Sequence, residues 1–396
     1  MIDKLTLRCS FKRFELEKSL RFGLSLKHLG IPLEQSLNRD GEVINTRHSW
    51  ESIPSNFSGM AFKVFDFRDT KLDDFYIEIK ASPAKLMYGQ NIYGSSDFVE
   101  CAFFMIDFLY KSYPELAKHL VFESWTLENI DATYFSRADS NTEAMQFINA
   151  LSNVSHGQTK SRTGYNGTAY FGQKNSRLKK IKVYAKHPET LEILKKNPDI
   201  EAVIDEQLLE FAVGMIRWEV TLHRRYMERK GLSCKLSDLI ENNSLSKENL
   251  IKLWSDATKG LFKSLEGKEM KIANNNEVKE LLRVKFSKTG KTGKVSYSAA
   301  DSAFMTYEFL KIKGWLGTKE SLSKPTFYRH ISMLTEAGLS RAYLQNLNGM
   351  DKSNVIPFIR FIGVDFGAQL PKGIIETETG ALVGVPTIES LAVKYG

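Results

Sequence analysis

In the run KKIKVYAK (179–186), Lys182, Tyr184 and Lys186 fall at alternate positions, and alternate residues of a β-strand share one face. A phenol flanked by ammonium groups is the raw material of a tyrosine nucleophile. Its ordinary pKa of about 10 leaves it protonated at neutral pH, so it needs a cation or a metal to act as phenolate. The same count over FYIEIK (75–80), NIDATYF (129–135) and MIRWEVTLH (215–223) sets Glu78 with Lys80, Asp131 with Thr133, and Arg217 with Glu219, opposite the apolar residues. If these strands are neighbours, Glu78, Asp131, Glu219, Lys80, Lys182, Lys186, Arg217 and Tyr184 share one face. Three carboxylates without a His pair or Cys cluster suit a hard cation, Mg2+ or Mn2+, rather than zinc. The same residues also fit a plainer description, in which the acids pair Lys and Arg across strands and Tyr184 packs within its own.

The elements that must position these groups are short β-runs separated by helical periods. LTLRCSF near the start, MAFKVFDF (60–67), FYIEIK, ENIDATYF (128–135), GTAYFG (167–172), KKIKVYAK and MIRWEVTLH read as strands by alternation and β-branched content. Helical spacing marks 97–113, 142–154, a segment opening after Pro188, and 206–214. The pattern predicts an α+β fold: a mostly antiparallel sheet with helices packed on one face, over residues 1–230. From 231 to 396 a mostly helical domain is expected, carrying a hairpin at 283–298 and a helix at 326–337 that opens at a Ser/Pro signal. His187 falls on the apolar side of the count or just past the strand.

With 55 Lys+Arg and 47 Asp+Glu in 396 residues, the formal charge is +8. That excess permits a nucleic-acid partner, and its clustering argues for one. Lys174, Arg177, Lys179, Lys180, Lys182 and Lys186 crowd around Tyr184, while Lys279, Arg283, Lys285, Lys288, Lys291 and Lys294 cover the hairpin. Arg329 and His330 add a basic patch to the helix 326–337, which has the makings of a recognition helix. Basic stretches of this kind neutralise phosphates and release counterions. GKTGK (290–294) is not a phosphate loop, because Lys285 stands where the leading Gly belongs and no strand–loop–helix follows. Three scattered cysteines exclude a disulfide framework, and no apolar run reaches the roughly 18 residues of a membrane span.

The start MIDKLTLR and the segments SGMAFKVF, IEIKASPAKLMYGQNIYGSSD, IDATYFSRA, LSNVSHGQTKSR, VYAKH, IRWEV and NVIPFIRFIGVDF, in this order, resemble the gene II replication initiators of filamentous phages. More distantly, YFGQKNSRLKKIKVYAKH followed by RWEV is similar to the core of staphylococcal rolling-circle plasmid initiators. The resemblance implies a site-specific endonuclease that nicks the viral strand at the double-stranded phage origin and later rejoins the displaced strand by phosphodiester transfer. It further implies Tyr184 as nucleophile, Glu78, Asp131 and Glu219 as ligands of Mg2+ or Mn2+, and Lys186 and Lys80 as nearby cations. Gly172 and Ser176 would form the turn ahead of the catalytic strand. The implied partners are origin duplex, single-stranded viral DNA, and the host helicase and DNA polymerase, in the host bacterial cytoplasm and away from membranes. The chain has no His-x-His pair, so the histidine-ligated metal geometry of many nickases does not carry over. Two competing readings are a non-catalytic origin-binding regulator and a metal-dependent nickase that uses water.

Overall fold

Burial alternates strictly along the outer strands of the sheet and gives way to burial on both faces at its centre, and the computed structural model describes the chain through residues 1–12, 31, 34–55, 58–65, 75–151, 154–156, 159–163, 168–173, 175–266, 275–289, 293–349 and 358–385. The strands are β1 (Ile2–Ser10), β2 (Glu34–Leu37), β3 (Val43–Arg47), β4 (Glu51–Pro54), β5 (Gly59–Phe65), β6 (Tyr76–Ala81), β7 (Thr126–Arg137), β8 (Ser155–His156), β9 (Thr159–Thr163), β10 (Thr168–Phe171), β11 (Lys179–Ala185) and β12 (Met215–His223). β2 and β3 form a separate hairpin, and the other ten make one sheet in the order β4-β5-β6-β1-β7-β12-β11-β10-β9-β8. The registered pairs are antiparallel, as the α+β expectation requires.

Ile77, Ile79, Ile130, Val183, Trp218 and Val220 are buried on one face. Helices α1 (Pro83–Tyr88), α2 (Phe98–Ser112) and α3 (Asn141–Leu151) come from the first half of the chain. α4 (Lys186–Lys196), α5 (Glu206–Ala212) and α6 (Lys247–Leu265) follow. Apolar residues of α2, α3 and α6 join the sheet's isoleucines and valines in one core. Asp97 and Ser246 cap α2 and α6, accepting from the backbone N–H of Glu100 and Asn249. The first core therefore runs past residue 231: Trp254 of α6 is buried under the sheet and its Nε1 donates to the Trp218 carbonyl at 3.1 Å.

A second core joins α7 (Asn275–Phe286), α8 (Ser298–Ser321), α9 (Lys324–Glu336) and α10 (Arg341–Asn346) around Leu282, Tyr307, Phe327 and Leu334. α8 is broken at Gly314, whose φ of 69° suits glycine, and Asn348 Nδ2 donates to the carbonyls of Lys311 and Ile312 that the break leaves over. The helix expected at 326–337 is α9, with Ser323 as its cap and Pro325 in its first turn. Past it, the chain returns to the sheet: Gln369 accepts from the Phe135 amide and donates to the Phe135 carbonyl. Among the described residues no helix is long and apolar enough to cross a membrane.

Candidate active site

The predicted polar face exists, and its strands lie in an order that divides the candidates. β11, β12 and β7 are adjacent, and β1 and β6 lie beyond β7. Tyr184 stands opposite Arg217, Lys182 opposite Glu219, Glu219 opposite Thr133, and Thr221 opposite Asp131. Tyr184, Glu219 and Asp131 are thus successive diagonal neighbours across three strands, a spacing of roughly 7–8 Å per step. The turn into β11 carries the expected pair: Gly172 at φ 106°, and Ser176 accepting from the Leu178 amide.

Tyr184 is only 3% exposed. The Lys182 ammonium lies 4.1 Å from its ring centroid and 3.3 Å from Glu219. Burial raises the phenol well above its ordinary pKa, opposed by the Arg217 charge and reinforced by Glu219 and Asp3. The hydroxyl is therefore protonated at rest.

Arg217 is buried and donates to the Asn91 carbonyl. Its guanidinium lies 3.8 Å from Asp3, whose carboxylate accepts from Asn91 Nδ2 at 2.8 Å. Burial alone would raise Asp3, but the Arg217 and Lys186 charges and the Asn91 amide hold it below its ordinary value. Asp3 enters the site through a break in register between Ile2 and Lys4 on β7, a bulge that turns it out of strand alternation. Strict parity counts Asp3 with Leu5 and Leu7. An acid at an otherwise apolar parity was the available signal, and Asn91 carried none beyond its place in QNIYGSSD.

Lys186 departs from its expected position. β11 ends at Ala185, and Lys186 opens α4, because Pro188 fits a helix's first turn where its missing N–H costs nothing. Its ammonium donates to Asn91 Oδ1 at 2.8 Å and to Glu189 at 2.7 Å, and burial lowers its pKa to about 8. The cations at Tyr184 are Lys182 and Arg217 instead. Lys80 is farther off: its ammonium sits 3.4 Å over the Trp50 ring, on a strand four steps from β11, about 19 Å away at ordinary strand spacing.

Glu78 also leaves the expected carboxylate set. It faces Arg8 and Lys63 on the strands flanking β6, three steps from β12, and burial together with Glu128 raises its pKa. Among the described residues, no three His, Cys, Asp or Glu side chains converge closely enough to hold a metal. Asp131 and Glu219 nevertheless have the character of a cation site. Burial, and next the Glu219 charge, lifts Asp131 to about 7. Burial and Asp3 raise Glu219. Asp131 Oδ1 and Thr133 Oγ1 are both buried without a hydrogen-bond partner. A hard cation fits such acceptors.

The basic candidates divide as well. Arg177 is exposed in the turn and Lys180 is half-buried on the polar face. Lys179 points to the opposite face and donates to the Ala257 carbonyl at 2.5 Å, and Arg217 is enclosed, so neither offers its charge to a solvent-side phosphate. In the second unit Arg283 pairs with Asp301 at 3.1 Å and Lys285 donates to the Glu336 carbonyl. Lys288 and Lys294 are exposed on a hairpin closed by β13 (Lys288–Thr289) and β14 (Val295–Ser296). Arg329 is exposed on α9, whereas His330 is buried against Thr306 at 2.7 Å. Lys174 and Lys291 lie outside the described residues.

Comparison with known proteins adds the lineage. Residues 1–241 match the family model for the N-terminal part of the phage replication-associated protein encoded by gene II, and residues 290–378 match the model for its C-terminal part. The replication-associated protein of Enterobacteria phage f1 is 33% identical over 86% of both chains. Its counterpart in Salmonella phage IKe is 31% identical over 95% of this chain and 96% of its own. No solved structure matches the chain. With both parts matched in order and relatives above 30% identity over most of its length, the chain belongs to the gene II replication-associated protein family of filamentous phages.

Proposed function

We propose that this protein starts rolling-circle replication of a filamentous phage genome by nicking one strand of the origin duplex through Tyr184 and later rejoining the displaced strand. The observation that carries this reading is the diagonal Tyr184–Glu219–Asp131, with Arg217 and Lys182 against the tyrosine, in a replication-associated family. The Tyr184 oxygen attacks phosphorus, the bond to the 3′ oxygen breaks, and the strand leaves as a 3′-hydroxyl while its 5′ phosphate stays on tyrosine. The phenol proton passes to water, and water supplies the proton that the leaving 3′ oxygen takes up. Arg217 and Lys182 then face the charge that develops on the phenolic oxygen. Mg2+ or Mn2+ on Asp131 and Glu219 supplies Lewis-acid polarisation of the scissile phosphate when bound. Because the phosphodiester is exchanged rather than spent, the reverse attack by a 3′-hydroxyl reseals DNA without ATP. Origin duplex and single-stranded viral DNA are the substrates, with Lys288, Lys294 and Arg329 of the second helical core offered to phosphates, while host helicase separates the strands and host polymerase extends the released 3′ end in the cytoplasm.

The test is incubation with supercoiled origin plasmid and Mg2+, followed by peptide mass spectrometry. Relaxed plasmid with a nucleotide adduct on Tyr184, lost in Tyr184→Phe, is expected. One observation favours a second reading: Tyr184 is buried and protonated, which would suit metal-activated water. Full nicking by Tyr184→Phe without an adduct would establish that reading, and a gel shift without relaxation would leave only a binding protein.

A further inference from the structure

The polar face continues past the active site onto β1, β6, β5 and β4, and there its chemistry changes. Phe65 and Tyr76 are stacked, with ring centroids 4.7 Å apart and planes 14° from parallel. Trp50, just ahead of β4 and 40% exposed, meets Phe65 edge-on at 6.3 Å. Each ring carries a cation: Lys80 at 3.4 Å over Trp50, Lys63 at 4.6 Å over Phe65, and the Arg8 guanidinium at 3.5 Å over Tyr76. None of these rings is needed for the core, which Phe62, Val64, Ile77 and Ile79 fill from the other side of the same strands.

We propose that this half of the sheet is a binding track for single-stranded DNA, with Trp50, Phe65 and Tyr76 stacking bases and Lys4, Arg8, Lys63 and Lys80 taking phosphates. Three rings and four cations on a sheet surface are the two components that unpaired nucleic acid requires, π-faces for bases and charge for the backbone. A duplex keeps its bases stacked inside and leaves the rings nothing to hold. In the free protein the cations occupy the ring faces; bases replace them there as the ammonium and guanidinium groups move to phosphates. Acid on this face is balanced: Glu78 lies between Arg8 and Lys63, which face it from both flanking strands, and Glu128 is paired with Arg224 at 3.0 Å. Lys4 lies opposite Asp131 in register, so the track runs directly into the site. Such a track rests on the chain acting on DNA, and it serves whether or not Tyr184 is the nucleophile.

The test is fluorescence anisotropy of the full-length protein with a short fluorescein-labelled oligothymidylate, competed by a duplex of equal length. Trp50→Ala and Tyr76→Ala should each weaken binding about 5- to 100-fold. Lys63→Gln with Lys80→Gln should flatten the salt dependence by roughly 1.4 in log–log slope, about 0.7 for each phosphate no longer neutralised. Binding is read without Mg2+ on an oligothymidylate that carries no origin sequence, which separates this site from the nicking chemistry. Trp50→Leu, which keeps apolar bulk but offers no ring, guards against misfolding: it should melt with the parent and still lose affinity. Unchanged oligothymidylate affinity in Trp50→Leu and Tyr76→Ala, or a parent protein that binds the duplex but not the oligothymidylate, would overturn the proposal.

Discussion

Tyr184 and Arg217 stand directly opposite one another on β11 and β12, and the guanidinium is fixed from behind by the Asn91 carbonyl and by Asp3. A buried charge with such partners is costly to remove from one side, because the groups left behind stay desolvated. Arg217 therefore acts on the tyrosine and also holds the segment around Asn91 against the sheet.

Arg217→Met should consequently lower unfolding free energy by about 3–5 kcal/mol, the usual cost of orphaning a buried ionic partner. Arg217→Lys should cost less, since it keeps the charge while losing the planar fork that reaches both Asn91 and Asp3. Urea denaturation of the three proteins checks this. Equal stability of the Met variant and the parent would mean that Asp3 and Tyr184 do not depend on Arg217.

The sheet order separates the carboxylates in a way that metal titration can read. Asp131 and Glu219 are diagonal neighbours, while Glu78 lies two strands from Asp131 among Arg8 and Lys63. Asp131→Asn and Glu219→Gln should each raise the Mn2+ concentration needed for half-maximal binding, measured by the metal's own paramagnetic relaxation signal, by about tenfold or more. Glu78→Gln should leave it within about twofold. A matched loss in all three would restore the three-carboxylate site that strand parity suggested.

How far parity carries is visible in these same residues. It grouped Lys182, Tyr184, Arg217, Glu219 and Asp131 correctly because a regular strand has only two faces, so side chains two apart must agree. It could not order the strands. β1, first in the chain, inserts between β6 and β7 and carries Glu78 and Lys80 away from the tyrosine. It missed Asp3, because a bulge breaks the period on which the count depends, and it extended β11 one residue too far, because Lys186 continues the alternation while already turning into α4. The helices α2, α3 and α9 were legible from spacing and caps; the return of the chain to β7 at Gln369 has no local signature at all.

Lys186 supplies a pH dependence with a definite sign. Burial is the main cause that lowers it to about 8 from 10.5, with Glu189 and Asp3 opposing and Arg217 adding to the effect. Between about pH 8 and pH 10 the unfolded chain binds this proton more tightly than the folded one, so this group's contribution to stability rises with pH across that window. Below it the full cost of a buried ammonium remains. Lys186→Met should remove this dependence, so the parent should gain stability relative to the variant from about pH 8 to pH 10 in urea titrations. Parallel curves for the two proteins would place the Lys186 titration outside that range.

The C-terminal part should prove inseparable from the sheet. Ser136 on β7 accepts from Trp218 Nε1 at 2.9 Å and donates to the Phe361 carbonyl, while the Phe361 ring is fully buried, 4.8 Å from Phe147 of α3. One serine thus joins β12, β7 and the segment that follows the second helical core. Phe361→Ala would leave a void that neither the sheet nor α3 can close, since Phe147 also packs on Trp218. A loss of about 3–5 kcal/mol is expected. Hydrogen exchange gives the sharper reading: in the Phe361→Ala protein, protection should fall in β7 and β12 as well as in the segment around residue 361, while α7 to α9 keep theirs. Loss confined to that segment would show that it rests on the sheet without supporting it.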